Sequence, residues 1–302
     1  RFIFGTDEEN LWRCLEKYNE KEEGITQGFA PDAEFPLIYA EKGLLQAYLT
    51  GPGTNDFSVK AGGALNVVPD AAPYSGEKIS EVKEALKKHG FDFEEQGEGI
   101  VVLGKSIHAK DAAQGVNAIS RLAIALSEVF DFGPINFLGK LVQENATGEA
   151  VVGKTEDEQS GELTMNFASL EITPEQTKIG VDMRIPVTFK KEDLVAKLTK
   201  TVEKYELSYE EFDFLDSLYV PLDSELVKNL LGTYREITGD MTEPFVSGGA
   251  TFARTMNQCV AFGAMFPDTP DFMHQANERW ELSSMYKAME IYAEAVYRLC
   301  AK

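Results

Sequence analysis

The spacing of apolar residues changes character twice along this chain, near Gly43 and again after Val220-Pro221, and few architectures accommodate such a pattern. Before the first change, an apolar strand is predicted over residues 1–4. A helix follows with Leu11, Cys14, Leu15 and Tyr18 on one face and Thr6 or Asp7 as its cap. After a turn-rich loop over 28–36 a second strand is predicted over 37–40. This β-α-β beginning is that of an α/β sheet. After the second change, a helix over 225–237 with Asp223 or Ser224 as cap leads to the glycine-rich Ser247-Gly248-Gly249-Ala250-Thr251. An apolar stretch over 259–266 and a last helix through Leu282, Met285, Met289, Tyr292 and Val296 complete the pattern.

Between the two changes, strands are predicted near 45–49 and around 57–68, and a helix over 77–89 turns Ile79, Val82 and Leu86 inward before Gly90 closes it. Strands over 91–93 and 100–103, a helix over 112–129, strands over 162–170 and 178–187, and a helix over 192–205 follow. The acidic stretch 153–161 is predicted to be an exposed hairpin. The expected organisation is an α/β domain, residues 1–43 and 220–302, interrupted by an α+β domain, residues 44–219.

The chain has 302 residues with 50 acidic and 29 basic side chains, a net charge of −21. Nucleic acid and anionic membrane surfaces require clustered Lys and Arg, so both are excluded as expected partners. A small-molecule or peptide ligand remains. No apolar run approaches the ~20 residues that span a bilayer, and the three cysteines (Cys14, Cys259, Cys300) form no CxxC pair. Both features point to a cytoplasmic protein.

Taken singly, the chemistry-bearing residues have ordinary explanations. Glu8-Glu9 fits a helix first turn, His89 a helix C-terminus, and His274 a helix start. Asn66 fits a turn cap, His108 a strand end, and Arg184 an ion pair with Asp182 or another surface carboxylate. Together, two carboxylates after one strand, Asp32 immediately before another, and the late His274 form a donor set that suits a zinc or manganese hydrolase. Strand ends of α/β sheets are where such sites gather.

Eight motifs occur in order: Gly5-Thr6-Asp7-Glu8-Glu9, Pro31-Asp32-Ala33-Glu34-Phe35-Pro36, Asn66-Val67-Val68-Pro69-Asp70, Gly104-Lys105-Ser106-Ile107-His108-Ala109, Gly115-Val116-Asn117-Ala118, Val181-Asp182-Met183-Arg184-Ile185-Pro186, Gly248-Gly249-Ala250-Thr251-Phe252-Ala253-Arg254 and His274-Gln275-Ala276-Asn277-Glu278. Over its whole length the chain resembles the co-catalytic metallopeptidase family of aminoacylases and carboxypeptidases. Within it, the wording is similar to the bacterial PepV-type dipeptidases, also called Xaa-His dipeptidases or carnosinases.

The resemblance implies a zinc-peptidase-like catalytic domain, a mixed sheet flanked by helices, interrupted by the α+β domain as a lid. It implies Glu8 as general base, and Glu9, Asp32 and His274 as ligands of two divalent ions, zinc first and manganese second. Water activated between the ions would lose its proton to Glu8 and attack the peptide carbonyl of a dipeptide. Asn66, His108 and Arg184 are implied to grip the substrate backbone and its carboxylate and to stabilise the oxyanion. Gly248 and Gly249 would let backbone approach the substrate.

The family's His-x-Asp and bridging aspartate have no counterpart before Arg1. The resemblance therefore implies that the family's N-terminal portion is missing, that the 302 residues alone are inactive, and that the complete enzyme is a monomer. The alternatives are a related amidohydrolase, either an N-acyl amino acid deacylase or a tripeptidase, and an inert fragment.

Overall fold

A computed structural model describes residues 1–8, 12–270, 272 and 277–301. The chain divides into one unit made of Arg1–Lys42 with Asp216–Lys302, and a second made of Gly43–Leu215.

The first unit begins with α1 (Arg13–Asn19), which buries Leu15. Its N-cap is Trp12, in place of the expected Thr6 or Asp7; the Asp7 carboxylate nevertheless accepts from the Arg13 backbone N–H at 3.2 Å and from Arg13 Nε at 3.0 Å. The strand expected over residues 1–4 does not form. Those residues pair with no described strand, and Phe2 and Phe4 are 81% and 90% exposed. An apolar run becomes a strand only when a neighbour's backbone completes its ladder.

Three strands follow, β1 (Gly28–Ala30), β2 (Ala33–Glu34) and β3 (Ile38–Glu41), before the chain passes into the second unit. That unit contains β4 (Gly43–Pro52), β5 (Val59–Gly62), β6 (Ala71–Tyr74), α2 (Ile79–His89), β7 (Phe93–Gln96), β8 (Gly99–Leu103), α3 (Ala118–Val129), α4 (Gly133–Asn136), α5 (Glu149–Val152), β9 (Glu156–Asp157), β10 (Gly161–Glu162), β11 (Thr164–Ile172), β12 (Gln176–Ile185), α6 (Lys191–Val202) and β13 (Ser208–Leu215). The first unit resumes with β14 (Leu218–Tyr219), α7 (Glu225–Thr238), β15 (Phe245–Ser247), β16 (Cys259–Ala261), β17 (Ala264–Met265) and α8 (Leu282–Cys300).

In the first unit β1 runs parallel to β16, with Gly28 opposite Cys259 and Ala30 opposite Ala261. β3 is antiparallel to β16 and β14 and parallel to β15. The result is a mixed sheet flanked by helices. α7 contributes Leu226, Leu230 and Tyr234 to its core, and α8 contributes Ala288, Ile291 and Ala295. The α8 face differs from the expected line, since Leu282 and Met289 are 64% and 56% exposed. Small side chains at 288 and 295 admit the aromatic cluster of Phe35, Phe262 and Tyr292, and the larger residues turn outward.

The main sheet of the second unit is antiparallel throughout, in the order β13-β4-β12-β11-β5. Period-two alternation sorts its faces. Leu45, Ala47 and Leu49 of β4 and Ile179, Val181, Met183 and Ile185 of β12 share a core with α2, α3 and α6, so Gln46, Asp182 and Arg184 belong to the opposite face.

Several predicted bounds change. The helix expected over 112–129 is a 3₁₀ turn, Ala109–Gln114, followed by α3, because the Asn117 side chain accepts the Ser120 N–H at 3.1 Å and starts a new helix. The strand around 57–68 shortens to β5, and the remainder turns across the sheet. β6 carries Pro73 at a sheet edge, where no ladder donor is required, and β13 is acidic at Glu210, Glu211 and Asp213; both departures from strand composition hide them from periodicity. The acidic hairpin forms, as β9 paired with β10.

Candidate functional site

In the first unit Asp32 lies just beyond the carboxyl end of parallel β1, between β1 and β2, and is exposed. That is where open α/β sheets present ligand-binding groups. The turn below it is fixed by Phe35, whose ring packs on Gly263; a Cβ there would lie 2.3 Å from Phe35 Cζ, and the residue's φ of +66° also favours glycine. Tyr292 reaches this region from α8. Its hydroxyl is buried and, among the described residues, has no hydrogen-bond partner. Burial, and then the Asp32 carboxylate, push its phenol well above the usual range.

Glu8 precedes α1 and is partly buried, and its backbone carbonyl accepts from Trp12 Nε1. Glu9 and His274, the other two ligands expected from sequence, lie outside the described residues. Among the described residues no three His, Cys, Asp or Glu side chains come together as a metal site.

Thr251 and Arg254, from the glycine-rich motif, meet Glu41 at the end of β3. Glu41 accepts from Thr251 Oγ1 at 2.7 Å, the Thr251 N–H at 3.1 Å and Arg254 Nε at 3.0 Å. The Arg254 Nη2 group also donates to the carbonyls of Lys42 at 3.1 Å and Gly249 at 2.8 Å, and Nη1 to that of Asp216 at 3.0 Å. The pair is buried, and it anchors the loop containing Gly248 and Gly249.

In the second unit the three residues predicted to bind substrate fall on one face of the main sheet. Asn66 sits exposed in a turn, with its carbonyl accepting from the Ala109 N–H at 2.8 Å, and Val67 bridges to His108. The turn crosses the sheet where β12 has Gly180. A Cβ there would lie 2.5 Å from a Leu65 methyl carbon and 2.4 Å from Ser169 Oγ.

His108 Nδ1 accepts the Lys110 backbone N–H at 3.1 Å, which places the proton of the neutral ring on Nε2. Although the residue is exposed, desolvation on its packed side and the nearby Arg184 cation lower its pKa, with Asp182 opposing them. His108 is thereby held as a neutral Nε2–H donor.

Arg184 is 2% exposed and grips Asp182 side-on, Nε to Oδ1 at 2.6 Å and Nη2 to Oδ2 at 3.0 Å. The ion-pair explanation available from sequence is therefore real. It commits two of the five guanidinium N–H groups to Asp182. Sequence reasoning gave no weight to Gln46, which donates to Asp182 Oδ2 at 2.9 Å, or to Asn166, which donates to the carbonyls of Leu65 at 3.2 Å and Val67 at 2.9 Å. Gln46 stood out in no motif, and Asn166 lies in a stretch that reads simply as strand.

The sequence profile of peptidase family M20/M25/M40 matches residues 1–298. Among curated relatives, a provisionally named dipeptidase of Staphylococcus haemolyticus is 33% identical over 327 residues, covering 99% of this chain and 69% of that protein. A provisionally named dipeptidase of Staphylococcus aureus is 35% identical over 329 residues, with the same coverages of 99% and 69%. Among solved structures, a Staphylococcus aureus tripeptidase aligns with TM-score 0.49 and 13% identity, covering 95% of this chain and 61% of that one. An aminoacylhistidine dipeptidase from Vibrio alginolyticus aligns with TM-score 0.49 and 12% identity, covering 88% and 64%. The chain thus spans 69% of the length of these curated relatives and less than two thirds of these solved chains.

Proposed function

We propose that this chain, which belongs to peptidase family M20/M25/M40, serves as a metal-dependent dipeptidase acting on Xaa-His and other unblocked dipeptides. In this reading residues 1–43 and 220–302 form the catalytic domain and residues 44–219 the lid. The observation that carries it is the gathering of Asn66, His108 and Arg184, drawn from three separate motifs, on one face of the second unit's sheet. The relatives named as dipeptidases support the substrate class.

Peptidases of this family are generally metal-dependent. Asp32 fits as a hard oxygen ligand, and the Tyr292 hydroxyl beside it, without a hydrogen-bond partner among the described residues, is a polar group of the kind that lines such a site. Glu9 and His274 are the proposed remaining ligands in this chain, with zinc or manganese as the ions. Such ions, when bound, polarise a peptide carbonyl and acidify water.

Glu8 accepts the proton of the attacking water and returns it to the departing amine. The His108 Nε2–H donates to the oxygen that gains charge as the carbonyl carbon becomes tetrahedral, and the lowered pKa keeps that donor neutral and correctly protonated. Arg184 receives the substrate's C-terminal carboxylate, and the Asn66 amide holds its backbone.

The test is a substrate panel on the full gene product with zinc or manganese: β-Ala-His, Ala-Ala, a tripeptide and an N-acetyl amino acid. Dipeptide turnover that falls ~10²–10⁴-fold in Glu8→Gln, with metal content unchanged, is the expected result. Preference for the N-acetyl amino acid would instead identify a deacylase, and preference for the tripeptide a tripeptidase. Full dipeptide activity in Glu8→Gln would remove Glu8 from the mechanism.

A further inference from the structure

Gln46, Asp182 and Asn166 occupy one level of three adjacent strands. The register places Gln46 of β4 opposite Asp182 of β12, and Asp182 opposite Asn166 of β11. All three side chains are polar, on a sheet whose other face is apolar; Asp182 and Asn166 are buried. A buried polar row is costly unless its members are hydrogen-bonded. Here they bond in two directions. Toward β12, Gln46 donates to Asp182, which accepts both Nε and Nη2 of Arg184. Toward the covering turn, Asn166 spends both amide hydrogens on the carbonyls of Leu65 and Val67, the residues flanking Asn66. The Asn166 Oδ1 in turn accepts from Asn117 Nδ2 at 3.2 Å, and Asn117 also caps α3 and donates to the Phe167 carbonyl.

We infer that the row Gln46–Asp182–Asn166 is a positioning layer that presents Arg184, Asn66 and His108 to the substrate as one rigid constellation. Asp182 fixes the plane of the Arg184 guanidinium, and Gln46 fixes Asp182 by occupying an oxygen that could otherwise rotate. Asn166 pins the turn bearing Asn66, and through the Val67 bridge it also locates His108 at the start of the 3₁₀ turn Ala109–Gln114. These residues do not touch substrate. Their role is geometric, and a bidentate carboxylate contact is the interaction most sensitive to a misplaced guanidinium plane.

The inference rests on the proposed reading of Arg184 as the carboxylate receiver, and the experiment separates the two. In the full gene product, KM and kcat are measured for a dipeptide and for its C-terminal amide in Arg184→Ala, Gln46→Leu and Gln46→Asn. Val59→Ala serves as a control for lost packing in the same sheet. Arg184→Ala tests the reading and should abolish the preference for the free carboxylate.

Gln46→Leu should raise KM for the carboxylate substrate about tenfold, the equivalent of one charge-assisted hydrogen bond, with kcat changed less than about threefold and the amide little affected. Gln46→Asn, which keeps the donor but shortens its reach, should move in the same direction. Val59→Ala should lower the melting temperature and leave the preference intact. If Arg184→Ala abolishes the preference while both Gln46 variants behave like Val59→Ala, the positioning layer is refuted and the reading stands. If Arg184→Ala leaves the preference intact, the reading fails and the inference falls with it.

Discussion

Among the described residues each unit contains one buried arginine–carboxylate pair, and the two pairs are built differently. Arg254 and Glu41 come from the two separate segments of a discontinuous unit, and the guanidinium is engaged by three backbone carbonyls besides its carboxylate. Arg184 and Asp182 are two residues apart on one strand, and Asp182 accepts from the side chains of Gln46 and Arg184. The first pair stitches chain segments together; the second orients a side chain. A buried ion pair contributes little net stability beyond what packed apolar groups would give, so its value is shown by what its remaining donors hold.

The largest effect should follow from breaking the stitching pair. Arg254→Met leaves Glu41 buried without its cation and should cost about 3–5 kcal/mol in urea unfolding. Glu41→Leu combined with Arg254→Met should recover a large part of that. A single-variant loss below about 1 kcal/mol would show that the pair is not needed to join the segments.

The orienting pair should be visible in the titration of His108. Its pKa lies below the ordinary imidazole value, chiefly through desolvation, with Arg184 lowering it further and Asp182 raising it. Arg184→Met should therefore raise the midpoint followed by NMR of the ring, and Asp182→Asn should lower it. A folded-state pKa below the unfolded one means that the unfolded chain binds the proton better. Stability from this group is thus present at neutral pH and lost as pH falls through the imidazole range. Identical midpoints in the three proteins would place His108 outside the field of the pair.

A smaller effect belongs to the first unit alone. The Thr242 hydroxyl, then the Tyr234 hydroxyl and the Thr242 N–H, hold Asp240 down to about 2 from an ordinary 3.8. Its contribution is present above the unfolded value and disappears as pH falls toward about 2, so Asp240→Asn should flatten the acid limb of the stability profile there. The smallest effect is expected from the exposed Lys60–Glu171 pair at 3.2 Å, where Lys60→Met should change stability by less than about 0.5 kcal/mol.

The two pairs also mark how far residue order can be read. Asp182 and Arg184 are close enough in sequence for their strand face and their pairing to be anticipated together. Glu41 and Arg254 were not, because nothing local to Glu41 distinguishes a buried carboxylate from the other acids of an acidic chain. The alternation of β4 and β12 was legible, being period two over long runs. Gln46 and Asn166 were not, because their importance is set by register across three strands. Residues 1–4 read as a strand on composition, but composition cannot supply a neighbouring ladder. The α8 face was misread for a related reason: hydrophobicity favours the larger side chains, whereas close packing against Phe35 and Phe262 selects alanine.

The triple grip of Arg254 on Lys42, Gly249 and Asp216 also has a consequence for biosynthesis. Lys42 is the last residue of the first unit before the interruption and Asp216 the first after it, so the carbonyls at both crossings are tied by a side chain made late in translation. On the ribosome the second unit, one continuous stretch from Gly43 to Leu215, is complete before that side chain exists. Residues 1–42 emerge before that unit, yet they must wait through its whole synthesis for their sheet partners β14, β15 and β16. Vectorial synthesis therefore favours a middle-first order of folding, with Phe35 and Leu37 uncovered until their sheet partners are made.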